Sequence, residues 1–280
     1  MTPGERNHGG SVDRTGPKAL TKGLLLLRVL ADSPTGLQLA ELCRRVGLPK
    51  PTTLRLLGPL LDFGLVDCRN GGRYRLGPEC LVLGAAFRGA LDLRAEAADL
   101  LHALVELSGE TVHLAVPDRG RVLYVDKVES PHALRMVSQI GGTNPLHCTA
   151  LGKAMLAFAG EELVRAAVTA GLERRTPRTI VELGQLEVEL ERVRERGFAI
   201  DDVENEAGVR CVGAPVLDEE GRVTAAISVA GPEHRLTRER ALELGPRVRA
   251  AAEELSRRLG HRGEARLRQD HGDEEVSVGR

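Results

Sequence analysis

The 280-residue sequence predicts an α+β protein with two folded parts: a small winged helix-turn-helix domain, then a larger antiparallel sheet with flanking helices. Three observations lead there. Residues 37–61, LQLAELCRRVGLPKPTTLRLLGPLL, form the pattern of a short amphipathic helix, a turn at Gly47-Leu48 and a second helix with a polar first turn. After residue 110, apolar residues alternate with polar ones in short runs divided by turn residues, the period of half-buried strands. Charge is also divided along the chain. Residues 18–78 carry ten Lys/Arg against four Asp/Glu, a net +6, whereas the whole chain is −1, so the remainder is −7.

Length and composition narrow the class. A chain of this size can bury two cores, and 42% hydrophobic with 28% charged residues is an ordinary soluble balance. The N-terminal stretch MTPGERNHGGSVDRTGPK has no apolar run of signal-peptide length, and residues 24–30 are too few to cross a bilayer, so neither export nor a membrane anchor is expected. The five cysteines (43, 68, 80, 148, 211) are scattered without a CxxC pair, which argues against a disulfide framework or a zinc knuckle. A reducing cytoplasm, no cofactor and no metal are the expectations. His261 and His271 in the polar tail are weak metal candidates.

In chain order, residues 1–17 are Gly-, Pro- and charge-rich and are expected to be a disordered tail. Residues 19–30 form the supporting first helix, with Leu24, Leu27 and Leu30 inward. In the helix-turn-helix, Pro51 suits the first helical turn, where an amide proton has no partner in any case. Leu54, Leu57 and Leu61 then pin the second helix to its domain, leaving Lys50, Thr52, Thr53 and Arg55 on the outer face. Residues 63–66 give a helix stop and a short strand, Arg69-Asn70-Gly71-Gly72-Arg73 a hairpin turn, and residues 74–76 the returning strand. This completes a winged domain over residues 18–78.

Residues 80–104 are helical, with a break expected at Gly84 or Gly89; residues 79–92 are the linker and residues 93–260 the second domain. There, strands are expected at 110–116, 121–128, 134–140, 198–202, 211–217 and 223–230, and helices at 150–159, 161–170, 179–196 and 239–259. Antiparallel strands with helices gathered around them make an α+β, sensor-like domain. Residues 261–280 are expected to be a disordered tail.

A basic helix-turn-helix beside an arginine-flanked wing points to duplex DNA. Arg55 is expected to read or anchor most strongly, with Lys50 on phosphate and Thr52 and Thr53 beside them. Arg69, Arg73 and Arg75 lie in or behind the wing, and Arg44 and Arg45 can reach the backbone. A dimer of such domains calls for a palindromic operator.

These stretches resemble the IclR family of bacterial transcriptional regulators. The resemblance covers roughly residues 20–260. It rests on GLPKPTTLRLL at 47–57, GRYRLG at 72–77, PLHCTALGKAMLA at 145–157, RGFAIDDVENEAGVRCVGAPVLD at 196–218 and ISVAGPEHRLT at 227–237. It implies a winged N-terminal domain, a helical linker and a C-terminal effector-binding domain similar to GAF and PAS sensors. It also implies homodimers, often paired into homotetramers, that act as repressors or activators. Two departures stand out. Pro59 falls in the last turns of the second helix, where it removes a hydrogen bond and crowds the Arg55 carbonyl, so a kink or shortening after Leu57 is expected. Pro49 and Pro51 stand where the family usually has one proline and a small hydroxyl residue.

Within the second domain, Cys148-Thr149-Ala150-Leu151-Gly152 opens a helix whose first amides and positive dipole end suit an anionic group. The resemblance implies an effector pocket there, formed by Ala150, Leu151, Asp201, Cys211 and Ser228 with Met136 and Leu146 on the apolar side, for a small organic acid or related catabolite. Other roles stay open. Cys211 and Met136 are also core residue types, Lys153 either reaches a ligand or pairs with an acid across the domain, and the carboxylates at 201, 202 and 204 can hold the 208–210 turn. A pocket acid also disfavours a second anion.

Catalysis is not expected. Cys148 beside His147 is the only nucleophile candidate, but adjacent residues on an extended segment point apart and no third orienting group is evident. Neither HExxH, P-loop, GxGxxG nor GxSxG occurs in context. A small-molecule sensor acting through protein partners without DNA is the alternative.

Overall fold

The computed structural model describes residues 18–262 apart from Asn70, Leu91 and residues 134–137, and it leaves the side chains of Arg69 and residues 87–90 undescribed. The expected N-terminal tail and Met136 lie outside the described residues, as does the C-terminal tail from residue 263. The chain divides into two compact units, residues 1–91 and 92–280. No helix among the described residues is long and apolar enough to cross a membrane.

The first unit opens with α1 (Lys18–Ala31), which buries Gly23, Leu26 and Leu30. Leu27 packs at the edge of the core, but Leu24 is exposed rather than inward. The helical period running through Leu26 and Leu30 places residue 24 on the far side. A short β1 (Leu37–Gln38) precedes α2 (Leu39–Val46), whose Leu42 and Val46 are one turn apart and both buried. Gly47 ends α2 in the left-handed conformation, φ 65°, a geometry that costs glycine least.

The second helix of the pair, α3 (Lys50–Asp62), has Pro51 in its first turn. Its inward face is Thr53 and Leu57, with Leu56 and Leu60 beside them, while Leu54 and Leu61 are exposed. Of the expected inward set, Leu57 is buried as expected, whereas Leu54 and Leu61 give way to Thr53, Leu56 and Leu60. Nor does Pro59 shorten the helix: α3 continues to Asp62, and the Phe63 amide donates to the Pro59 carbonyl at 3.0 Å. β2 (Val66–Arg69) and β3 (Arg73–Leu76) form an antiparallel hairpin, and β3 also pairs with β1, giving the order β1-β3-β2. The unit ends with α4 (Glu79–Ala90).

In the second unit α5 (Leu93–Ser108) starts on Asp92, whose carboxylate accepts the amides of Arg94 at 3.0 Å and Ala95 at 3.4 Å. The helical break therefore falls just before this cap rather than at Gly84 or Gly89. A carboxylate satisfies otherwise unpaired amides, whereas a glycine within a helix costs only about 1 kcal/mol. A six-stranded antiparallel sheet follows. Its strands are β4 (Thr111–Asp118), β5 (Arg121–Val128), β6 (Thr143–Pro145), β7 (Ala199–Asp202), β8 (Val209–Leu217) and β9 (Val223–Pro232), in the order β6-β5-β4-β9-β8-β7. Of the strand expected over 134–140, residues 134–137 lie outside the described residues and 138–140 are not strand. The edge pairing is made instead by β6, which is too short to show a period.

The helices are α6 (Ala150–Phe158), α7 (Glu161–Thr169), α8 (Leu183–Arg196) and α9 (Arg238–Arg258). α8 begins four residues later than expected because the Thr179 hydroxyl is engaged locally. It accepts the amides of Arg175 and Thr176 and donates to the Glu204 carbonyl at 2.6 Å. Helices α5 and α9 pack on one face of the sheet, α6 and α8 on the other. The central strands are thus covered on both sides. Ala115, Tyr124, Ala199 and Ala226 share a cluster with α6, and their strand neighbours Leu114, Ile200 and Ile227, facing the other way, are buried too.

Candidate nucleic-acid interface and effector cavity

The helix-turn-helix presents Lys50 and Arg55 on the exposed side of α3, with Thr52 half-buried between them. Among the described residues neither Lys50 nor Arg55 has an ion-pair or hydrogen-bond partner. Thr53 is different. It is fully buried, its hydroxyl donates to the Pro49 carbonyl at 3.2 Å, and it accepts from the Cys43 thiol at 3.4 Å. Its expected place on the outer face is corrected: Thr53 fastens the start of α3 to α2.

Arg44, Arg45, Arg73 and Arg75 are engaged within the unit. Arg44 and Arg45 both hold Glu41, at 2.7 Å and 2.8 Å, and hydrogen bonds from Arg44 and then Arg45 lower the Glu41 carboxyl to about 2. Arg45 also donates to the Ser33 hydroxyl at 3.2 Å. Arg73 is exposed and donates to the Gly36 carbonyl at 2.8 Å, tying the hairpin to the loop before β1. Arg75 pairs with Asp67 across the hairpin at 3.2 Å. Arg69 stands opposite Arg73 in the β2–β3 register; its side chain is outside the description.

In the second unit a cavity lies between the sheet and the start of α6. Strand alternation supplies its floor: His113 from β4, Tyr124 from β5, Ser228 and Ala230 from β9, Val209 and Cys211 from β8, and Asp201 from β7. Thr149, Ala150 and Leu151 form the opposite wall, with Asn205 from the loop after β7. The free volume is ≈ 10 Å³, about what one water needs. Thr149 caps α6, accepting the Gly152 amide at 3.1 Å and donating to the Pro145 carbonyl at 2.8 Å. Ala150 and Leu151 follow this cap, where amides lack an intrahelical carbonyl. Two glycines set the approach. A Cβ at Gly152 would lie 2.2 Å from the Leu146 carbonyl oxygen, and one at Gly213 would lie 3.1 Å from the Ala150 carbonyl carbon.

Of the expected effector residues, the structure brings Ala150, Leu151, Asp201, Cys211 and Ser228 together. Leu146 does not line this cavity; it is buried in the core cluster with α6. Met136 lies outside the described residues. His113, Tyr124 and Asn205 are not among the expected residues, although the alternation of β4 places His113 on the same face as Ala115; Thr149 lies within the helix start expected to meet the ligand. The His113 and Tyr124 rings are 5.0 Å apart; His113 Nε2 is hydrogen-bonded to the Ser138 hydroxyl at 2.8 Å, and Asn144 donates to the Tyr124 hydroxyl at 3.0 Å.

Electrostatically the cavity favours neutral forms. Burial, then the charge of Lys127, lowers His113 to about 4. Burial pushes the Tyr124 hydroxyl and the Cys211 thiol up. Asp201 accepts the amides of Glu204 at 2.7 Å and Asn205 at 3.3 Å, yet burial and then the neighbouring Glu204 raise its carboxyl to about 7. Lys153 is buried against Glu204, with Glu189 at 3.8 Å, so it pairs across the domain and does not line the cavity. Of the three carboxylates expected to hold the 208–210 turn, only Asp202 reaches it, through Arg210; Glu204 pairs with Lys153 instead. Asp201 organises residues 204 and 205, and Asp202 binds Arg210 at 2.7 Å.

The alternative nucleophile has no support in this geometry. His147 is hydrogen-bonded to the Glu173 carbonyl at 3.0 Å, the Cys148 thiol donates to Asn205 at 3.7 Å, and burial pushes that thiol up to about 12. A thiol held protonated is a poor nucleophile.

Comparison with known proteins covers both units. Residues 19–67 match the IclR helix-turn-helix domain, and residues 86–257 match the C-terminal domain of the bacterial transcriptional regulator IclR. The chain is 37% identical over 247 residues to the transcriptional repressor IclR of Escherichia coli, covering 87% of this chain and 90% of that protein. It is 36% identical to the acetate operon repressor of Salmonella typhimurium over 87% of this chain and 90% of that protein. Among solved structures, the repressor BlcR of Agrobacterium tumefaciens superposes with a TM-score of 0.71 at 32% identity, covering 87% of this chain and 98% of that one.

Proposed function

We propose, from the premise that the chain belongs to the IclR family of bacterial transcriptional regulators, that this DNA-binding regulator is an effector-controlled repressor of a catabolic operon. It works in the cytoplasm and holds a palindromic operator as a dimer or a dimer of dimers. Residues 18–78 serve as the winged domain, 79–92 as the linker and 93–260 as the effector domain. The acetate operon repressor among its relatives agrees with control by small-acid metabolism.

On the DNA side, Arg55 and Lys50 make the principal contacts, since their cationic heads are exposed without a carboxylate partner among the described residues. Thr52 lies between them. Arg69 and Arg73 belong to the wing. Arg44, Arg45 and Arg75 reach phosphate by exchanging a carboxylate for it. The family is non-enzymatic, so control lies in binding alone.

The observation that carries the ligand response is the meeting of the first amides of α6 with the polar sheet face around Asp201, Cys211 and Ser228. A small organic acid sets its carboxylate against those amides. Asp201, which retains a proton up to about pH 7, need not repel it and can donate a hydrogen bond. The cavity of ≈ 10 Å³ must widen to accept even a small acid. That widening gives an effector different affinities for two states, without which no ligand shifts an equilibrium.

The test is an operator-release assay with a panel of two- to six-carbon acids, using wild-type protein and Ser228→Leu. One acid should change operator affinity for wild type alone while Ser228→Leu still binds DNA. No response to any acid, or an equal response in the variant, would remove this cavity from the account.

A further inference from the structure

We propose that a second cavity in the effector unit, on the outer side of the edge strand β7, binds a small organic dianion such as a dicarboxylate or a phosphate ester. Its volume is ≈ 360 Å³, within the usual range of small-molecule sites. Ile200 and Asp202 alternate with Asp201 along β7, so they face away from the first cavity. The other walls are Arg178 with Ile180, the α8 residues Glu189 and Arg196, and Arg238 with Leu242 in the first turns of α9.

Three guanidinium groups converge on the single carboxylate of Asp202. Arg210 donates to Oδ1 at 2.7 Å, Arg178 to the same oxygen at 3.3 Å, and Arg238 to Oδ2 at 3.2 Å. Arg210 is buried and further held by the carbonyls of Glu233 and Leu236 at 3.2 Å and 2.8 Å. Arg178 and Arg238 are not so held. Their side chains are 56% and 68% exposed, and among the described residues each uses only one of the five N–H donors a guanidinium carries. Two planar forks flanking one carboxylate, with donors to spare, suit a second, doubly charged acceptor.

The acids in the wall do not oppose this. Glu189 is paired with Arg196 at 2.8 Å and lies 3.8 Å from Lys153, and Glu204 is paired with Lys153. The start of α9 adds the positive end of a helix dipole. Ile180, Ile200 and Leu242 offer apolar surface to a carbon skeleton. Occupancy would also be felt at Asp201: the Asp202 amide donates to Glu204 at 3.3 Å, and the Glu204 amide donates to Asp201 at 2.7 Å.

The experiment is isothermal titration of the full chain with succinate and with inorganic phosphate at low ionic strength, using wild type, Arg178→Gln/Arg238→Gln, and Ser228→Leu. Thermal melts confirm that each protein is folded. Saturable binding of either dianion is expected, weakened at least about tenfold, or about 1.4 kcal/mol, in the double arginine variant, and binding of inorganic phosphate, which is not among the carbon acids assigned to the first cavity, is unchanged in Ser228→Leu. Absence of saturation by wild type, unchanged affinity in the arginine variant, or loss of phosphate binding in Ser228→Leu would each overturn the site. Because Ser228 belongs to the first cavity, failure there and failure here are separable.

Discussion

Lys153 and Glu204 form an ion pair inside the second unit, the lysine side chain 1% exposed and the glutamate 7%. The second Glu204 oxygen has no hydrogen-bond partner among the described residues. A buried pair is costly to break from one side, because the remaining charge is stranded. Lys153→Met alone is expected to destabilise the unit by about 3–5 kcal/mol. Lys153→Met/Glu204→Leu, which removes both charges, should lose much less. Urea unfolding of the two single variants and the double checks this; additive losses would show that the two side chains do not act as a pair.

Asp201 makes stability depend on pH. Its folded-state carboxyl is raised to about 7, against an unfolded value of about 3.9, so the fold favours the protonated form. The contribution is fully present below about pH 4 and is lost as the pH rises through about 7. Glu204, also raised by burial, acts in the same direction. Asp201→Asn keeps an oxygen for the amides of residues 204 and 205 but cannot ionise. Its melting temperature relative to wild type should therefore climb between pH 4 and pH 8, by about 2–4 °C for each kcal/mol in a domain of this size. A difference that stays flat with pH would contradict the raised carboxyl.

Gly152 and Thr149 set the start of α6. Gly152→Ala would push a methyl group to 2.2 Å from the Leu146 carbonyl oxygen, a backbone atom that cannot swing away. It is expected to cost more than about 2 kcal/mol by overpacking and to abolish any effector response. Thr149→Ala loses the cap and the hydrogen bond that the same hydroxyl donates to the Pro145 carbonyl, about 1–2 kcal/mol together. Denaturant unfolding orders the two; equal losses would mean that the close approach relaxes freely.

On α3, neighbouring threonines should behave oppositely. Thr52→Ala should leave the melting temperature unchanged and weaken DNA binding. Thr53→Val, which removes the hydroxyl between Cys43 and Pro49, should destabilise the winged domain by about 1–2 kcal/mol. Lys50→Ala should weaken binding to all sequences alike and lower the salt dependence by about one contact. Thermal melts and salt-titrated anisotropy separate these effects.

The contrast between Thr52 and Thr53 also marks where sequence reasoning stops. The helix-turn-helix, the hairpin and most strands were legible because glycine turns and alternating apolar residues are local signals. The phase of α1 and α3 was not. Both helices carry leucines on more than one face, so leucine alone did not mark the inward side, and Leu24 and Leu54 were misplaced. The linker's expected end at residue 92 matches the start of α5 at Leu93, but the break is set by the capping carboxylate of Asp92 and not by Gly84 or Gly89. Around the cavity, resemblance supplied Ala150, Leu151, Asp201, Cys211 and Ser228. His113 and Tyr124 reach the same face only through strand order, β5-β4-β9-β8-β7, which no local pattern encodes. The sequence allows Lys153 a ligand or an acid as partner, and burial beside Glu204 selects the acid.

The central claim is sequence-specific DNA recognition led by Arg55, and selection from random duplex DNA tests it most directly. Purified full-length protein and Arg55→Ala would each be carried through the same rounds of enrichment and sequencing. The account predicts a palindromic site enriched by wild type and lost or strongly degraded with Arg55→Ala, with a binding difference of about 1–3 kcal/mol on the selected site. Enrichment of the same palindrome by both proteins would contradict the role given to Arg55. No enrichment by a folded wild-type protein in low salt would contradict the proposed operator itself.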